Sequence, residues 1–214
     1  MMIDGITSCC SLLGMPYDYV TYHNNEWGRP VFADNLLFEA ICLESFQSGL
    51  SWLTVLRKRD ALRLSFAGFD FYNVAKFGDA EVKKILNDKK IIRHQGKIRS
   101  TINNAQRAVQ LVEEAGSLAA FVWSFEPNRN LEQKQLDEDE MLIFNKPDNR
   151  WKASISLSQA LKKRGWKFLG PRTVYSFMQS VGIINDHLKK CAFWTVCQQE
   201  KALFRVPLAC KPME

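Results

Sequence analysis

His187 and Cys191 stand four residues apart, the spacing at which a helix turns two side chains toward one ion. Cys10 and His23 could supply two further donors, with Cys9 a rival to Cys10, and Cys197 and Cys210 rivals to Cys191. Two thiolates and two imidazoles make a closed tetrahedral set that suits Zn2+ and leaves no open position, so such an ion would be structural. Five of the six cysteines lie within the first ten or the last twenty-four residues. A metal held by them would tie the two ends of the chain together.

Glu44 falls on a helical face with Leu37, Ala40, Ile41 and Ser48. An ionised carboxylate on an apolar face must find a donor or change its pKa, which makes it a candidate for chemistry. Tyr19, Tyr22, Trp27 and Trp52 flank it in sequence. Such rings can sandwich a flat heterocycle while the acid hydrogen-bonds its edge.

A third group is basic. Lys162 through Pro171 places two glycines, Gly165 and Gly170, around a turn with Lys162, Lys163, Arg164 and Lys167, just ahead of a helix. Backbone N–H groups freed by glycine at a helix N-terminus form a phosphate site. Arg93-His94-Gln95-Gly96-Lys97 has the same loop-to-helix form, so Arg93, Gly96 and Lys97 are candidates for a second backbone contact.

The elements that must position these groups read as helices, and no stretch reads as a strand. Asp34 is expected to cap a helix ending at Gly49, and Ser51 to cap a second one carrying Trp52, Val55, Leu56, Leu62 and Phe66. Helices follow after Asp79, from Ile98 to just before Gly116, from Ser117 through Trp123, from Ser154 to Gly165, and from Pro171 through Val181. Residues 126–150 read as an exposed loop, and 192–214 as a variable tail. The whole, residues 1–214, is expected to be one all-α unit of two helical lobes.

Twenty-nine basic against twenty-three acidic residues give +6 and a pI near 9.0, which favours a polyanionic partner. No apolar run approaches the ~20 residues of a membrane span, so no membrane association is expected. An acid where a secretion signal needs positive charge, with Gly5, Gly14 and Pro16 breaking the apolar stretches, leads us to expect a cytoplasmic protein.

Several blocks together resemble a known family. They are Tyr22-His23-Asn24-Asn25-Glu26-Trp27-Gly28, Cys42-Leu43-Glu44, Gln47-Ser48-Gly49-Leu50-Ser51-Trp52, Phe121-Val122-Trp123-Ser124-Phe125, Lys162 through Gly170 with Tyr175-Ser176-Phe177-Met178-Gln179, and Asn185-Asp186-His187 with Cys191. In this order, from about Cys10 to Cys191, they resemble the bacterial type I 3-methyladenine DNA glycosylases. The resemblance implies an all-α helix-hairpin-helix fold and one structural Zn2+ joining the N- and C-terminal regions through Cys10, His23, His187 and Cys191. It also implies a pocket for a base flipped from double-stranded DNA, with Glu44 reading the base, Trp52 stacking on it, and Tyr19 and Tyr22 beside them.

The enzyme so implied is a monomeric, monofunctional hydrolase that releases 3-methyladenine from alkylated DNA without cutting the backbone. Its DNA contacts would be Arg93, Gly96, Lys97, Lys163, Gly165, Lys167 and Gly170. Three positions depart from the family. Leu12 replaces a pocket-walling tryptophan, Asn24 stands where Asp is common, and Lys90 where Gly is common. Leu12 motivates the alternative of a non-catalytic, zinc-stabilised DNA-binding module with a weakened pocket.

Overall fold

Short-range signals start and stop most of the helices in a computed structural model that describes residues 12, 14–127, 149–188 and 190–205. The helices are α1 (Tyr17–Asn25), α2 (Asp34–Gln47), α3 (Trp52–Ser65), α4 (Phe71–Val74), α5 (Asp79–Asn87), α6 (Gln95–Ala115), α7 (Leu118–Trp123), α8 (Asn149–Lys163), α9 (Pro171–Ser180) and α10 (Ala192–Leu203), with a 3-10 turn at Ala67–Phe69. Among the described residues there is no extended strand. The fold is all-α. No described helix is long and apolar enough to cross a membrane.

Ser51 caps α3 by accepting from the Thr54 N–H, Ser117 caps α7 by accepting from Ala120, and Gly116 ends α6 with φ of 82°. Asp34 behaves differently from the sequence expectation. It is the first residue of α2, whose N-cap is Ala33, and its carboxylate accepts from the Leu118 and Ala119 N–H groups at 3.1 and 2.9 Å. The acid answers the unsatisfied donors of α7, a helix 84 residues away, and so fixes α7 against α2.

α2 runs through the centre. Leu37, Phe38, Glu39, Ile41, Cys42, Leu43, Glu44, Ser45 and Phe46 are all buried, because α3, α6, α7 and α9 surround it. Phe38 meets Phe71 at 5.7 Å and Trp166 at 6.4 Å, while Phe46 meets Phe66 at 5.9 Å. Each such ring stabilises the fold by about 1.5–3 kcal/mol. The 3-10 turn was not anticipated from sequence. Ala67, Gly68 and Phe69 all carry positive φ, and the strain at Phe69 is offset by complete burial of its ring against Phe66 and Phe38.

Two further differences concern the C-terminal half. α8 starts at Asn149, five residues before the expected Ser154, and Pro127, at the start of the expected 126–150 loop, is buried. Residues 128–148 lie outside the described residues. The expected tail begins with a packed helix: α10 buries Cys197 and Lys201, and the Lys201 ammonium donates to the Ile183 carbonyl at 2.6 Å and lies 3.2 Å from Glu126. A polar residue at a buried position hides this helix from a reading based on apolar period.

The segment after α1 is pressed against the end of α9. Val31 N–H donates to the Val181 carbonyl at 3.1 Å, and Gly182 follows with φ of +76°. A Cβ there would fall 2.5 Å from the Arg29 carbonyl carbon and 2.6 Å from the Pro30 nitrogen, both backbone atoms that cannot rotate away. Gly182→Ala is therefore expected to cost at least ~3 kcal/mol, a fall in melting temperature of roughly 6–12 °C by thermal denaturation. An unchanged melt would contradict this packing.

Candidate active site and metal centre

α1 is only nine residues long and has no side-chain cap, so it would not persist alone. α3 secures it with two arginines. Arg57 Nε donates to Asp18 at 2.7 Å, and Arg59 forms a two-pronged pair with Glu26 at 2.5 and 3.0 Å. These pairs seat Tyr19 and Tyr22 beside the start of α3, where the Tyr22 and Trp52 rings lie 5.0 Å apart at 43°.

Glu44 comes to the same place from the last turn of α2. It is 5% exposed, and its Oε2 has no hydrogen-bond partner among the described residues. Burial pushes its carboxyl up to about 8. Tyr22 is held well above its ordinary value by burial first and then by the charge of Glu44, and Tyr19 is raised by the same two causes. The Trp52 indole N–H is likewise buried without a described partner. One acid oxygen and one donor, both buried and without a described partner, beside three aromatic rings could take the hydrogen bonds of a planar polar ring. Leu12 is buried.

The metal-ligating candidates converge on the other end of α1. His23, His187 and Cys191 are buried, and one donor atom of each lies within 4.8 Å of the others. The sulfur of Cys191 is 3.6 Å from His187 Nδ1 and 3.9 Å from His23 Nε2. Tetrahedral zinc, with Zn–S of ~2.3 Å and Zn–N of ~2.0–2.1 Å, would set sulfur and nitrogen roughly 3.5–3.6 Å apart, so the three fit the group.

The outward ring nitrogens are also provided for. His23 Nδ1 is 2.9 Å from Asn24 Oδ1, and His187 Nε2 is 3.2 Å from the Trp27 carbonyl. With a proton on each outward nitrogen, both lone pairs face Cys191, the arrangement by which a second layer of acceptors orients histidine ligands. Burial first, then His23, holds His187 down to about 4, so its ring is neutral. Trp27 and Phe193 wrap the cluster, with ring centroids 4.6 Å and 6.3 Å from His187. Gly28 leaves the imidazole its room: a Cβ would sit 3.0 Å from His187 Nε2. Cys10 lies outside the described residues, as do Cys9 and Cys210. Cys197, another rival, is turned to the Trp27 carbonyl at 3.9 Å.

The basic hairpin links α8 to α9. Gly165, with φ of 80°, ends α8 while Trp166 turns inward, and Gly170 and Pro171 open α9. Lys163, Gly165, Lys167 and Gly170 are exposed. The hairpin is gripped by α6: Asn104 donates to the Lys167 carbonyl at 3.0 Å and accepts from its N–H at 2.9 Å, and Asn103 donates to the Gly165 carbonyl. Phe168 meets His94 at 6.2 Å, which brings Arg93 and Gly96 to the edge of the hairpin. Sequence reasoning missed Asn104. A buried asparagine on the helix of Ile98, Ile102 and Ala105 was the signal.

Lys97 is placed elsewhere, and its sequence assignment as a backbone contact needs correction. It is 6% exposed, and its ammonium donates to the carbonyls of Phe46 and Ser48 at 2.8 and 2.5 Å. It serves the end of α2 rather than a surface.

An all-helical fold with a basic hairpin between two packed helices, and beside it a dry acid-and-aromatic recess, defines a helix-hairpin-helix protein of the DNA glycosylase class. The chain belongs to the methyladenine glycosylase family, whose signature it matches over residues 14–195. It is 43% identical over 173 residues to DNA-3-methyladenine glycosylase 1 of Escherichia coli K12, covering 81% of this chain and 89% of that one. To DNA-3-methyladenine glycosylase of Haemophilus influenzae it is 37% identical, covering 87% and 97%. Among solved structures, a tyrosine-to-phenylalanine variant of 3-methyladenine DNA glycosylase I in complex with 3-methyladenine superimposes with a TM-score of 0.76 at 32% identity, covering 86% and 96%.

Proposed function

We propose that this chain is a DNA-3-methyladenine glycosylase, which takes an alkylated base out of double-stranded DNA and hydrolyses its bond to the sugar. The buried Glu44 carboxyl, whose Oε2 has no partner among the described residues, beside Tyr19, Tyr22 and Trp52 is the observation that carries this reading. Methylation at N3 makes adenine cationic and weakens its glycosidic bond, so the base leaves as a neutral molecule and little catalytic force is required. Glu44 accepts from the amino edge of the flipped base, Tyr22 hydrogen-bonds nearby, and Trp52 with Tyr19 covers the ring faces. Electron-rich faces and an acid favour a cationic base over a normal one. The exposed Lys163 and Lys167, the exposed glycines Gly165 and Gly170, and Arg93 with Gly96 hold the phosphates.

Strand cleavage by this class of chemistry requires a lysine nucleophile in the pocket. The two buried lysines among the described residues, Lys97 and Lys201, both donate to backbone carbonyls, which supports a monofunctional hydrolase. Zn2+ suits His23, His187 and Cys191, with Cys10 as fourth ligand, and its role is to hold structure. Incubation with methylated duplex DNA should release free 3-methyladenine and leave intact abasic strands. Strand breaks without added alkali would overturn the monofunctional assignment, and no released base would overturn the activity.

A further inference from the structure

Lys97 is a buried cation to which no described residue gives a carboxylate partner. Its ammonium is instead spent on two backbone carbonyls, those of Phe46 and Ser48, 51 and 49 residues earlier in the chain. These carbonyls end α2 and open the turn Gln47–Ser51, in which Leu50 N–H donates to the Gln47 carbonyl at 2.7 Å. Glu44 lies just before this turn and Trp52 just after it. The turn therefore sets the spacing of the acid and the indole, and apart from Lys97 it is held by local hydrogen bonds: Ser48 N–H to the Ser45 carbonyl at 3.4 Å, and the Ser51–Thr54 cap.

Lys97 is itself immobilised. Its N–H donates to His94 Nδ1 at 3.2 Å, and its carbonyl accepts from Ser100 and Thr101 at 2.8 and 3.0 Å. It stands in the first turn of α6, the helix that grips the hairpin through Asn103 and Asn104 and touches Phe168 through His94. One rigid helix thus holds the hairpin at one place and the pocket turn at another. A buried cation at a helix C-terminus also gains from the helix dipole, which offsets part of the cost of taking an ammonium out of water.

We infer that Lys97 is a positioning residue for base excision, fixing the turn between Glu44 and Trp52 so that acid and indole meet the same base while the hairpin holds the backbone. The inference rests on the glycosylase reading above. It is tested with Lys97→Met, measuring single-turnover release of 3-methyladenine across a range of methylated duplex concentrations, duplex binding against salt, and binding of free 3-methyladenine by tryptophan fluorescence. The rate at saturating DNA should fall about 10- to 30-fold, and free-base affinity should fall with it. The half-saturating DNA concentration and the salt slope should hold, and Lys97→Arg should restore part of the rate.

A salt slope reduced by about one would make Lys97 a phosphate contact and overturn the proposal. So would an unchanged rate. If Lys97→Met does not fold, Lys97→Gln, which keeps one amide donor, is read in the same way. Wild-type protein that binds free 3-methyladenine but releases none from DNA would count against the assigned reaction, whereas a loss confined to the variant bears on Lys97.

Discussion

A Glu44→Gln protein should release 3-methyladenine at least ~100-fold more slowly than wild type and yet melt at a higher temperature above pH 8. The two effects have one cause. Burial raises the Glu44 carboxyl from 4.5 to about 8, and the described residues offer Oε2 no donor. As pH climbs from about 4.5 to about 8, the unfolded chain gives up this proton while the folded chain keeps it. Stability contributed by the neutral acid is therefore full below the lower value and lost as pH rises through the upper one. At ~1.36 kcal/mol per pH unit the gap amounts to at most about 5 kcal/mol. Glutamine carries no titrating proton, so its melting temperature should lose that part of the pH slope, matching wild type near pH 5 and exceeding it near pH 9.

Activity should move the other way. A cationic base requires the ionised acid, so wild-type kcat/KM should climb with a midpoint near pH 8 toward a plateau above it, and the variant should be low without that rise. A factor of 100 corresponds to ~2.7 kcal/mol of lost transition-state stabilisation, the usual scale for one charged contact in a dry site. Equal pH slopes in the two proteins, in melting or in turnover, would sink the role assigned to Glu44.

Removing the metal should have the larger structural effect. Structural zinc in small domains is worth ~10–16 kcal/mol at neutral pH, and whole proteins are stable by only ~5–15 kcal/mol, so even a fraction of the ion's contribution decides whether the fold survives. Purified protein should contain one zinc per chain. Chelation, or Cys191→Ala, should lower the melting temperature by more than ~10 °C and expose α1 and α10 to proteases. Base release should be lost with the fold and return with zinc after chelation. A protein that melts unchanged in chelator would show that His23, His187 and Cys191 are held together by their own contacts.

Much of this site is legible in sequence wherever the signal is local. Sequence puts Glu44 among apolar residues of a helix, although α2 proves buried on all sides rather than on one face; Ser51 and Ser117 announce their helices, and Gly165 and Gly170 bracket the hairpin. The ligand candidates His23, His187 and Cys191 do meet, but not for the helical reason: His187 and Cys191 lie in the non-helical segment ahead of α10, so the four-residue spacing is not that of a helix face. Long-range contacts are what a linear reading loses. Asp34 looks like a cap for its own helix because nothing nearby reveals that α7 will claim it. Lys97 sits in a basic run and reads as a DNA-backbone contact, and only the packing of Phe46 and Ser48 against it makes it a buried cation. α10 is missed because Lys201 occupies a position where an apolar residue would have marked the helix.

The distance in sequence between the two halves of the metal cluster also sets an order of manufacture. Cys191 follows His23 by 168 residues. On a ribosome adding about 5–20 residues per second, the second half arrives about 8 to 34 s after the first. Through most of that interval α1 displays Tyr19 and Tyr22 with only its arginine pairs to α3 to hold it, although Glu44 and Trp52 have already been made. The hairpin is also complete before Cys191 emerges. On the proposed roles, a nascent chain acquires its grip on the phosphate backbone before it acquires a finished reader of bases, and the reader is completed only when the last of the three described candidate ligands arrives.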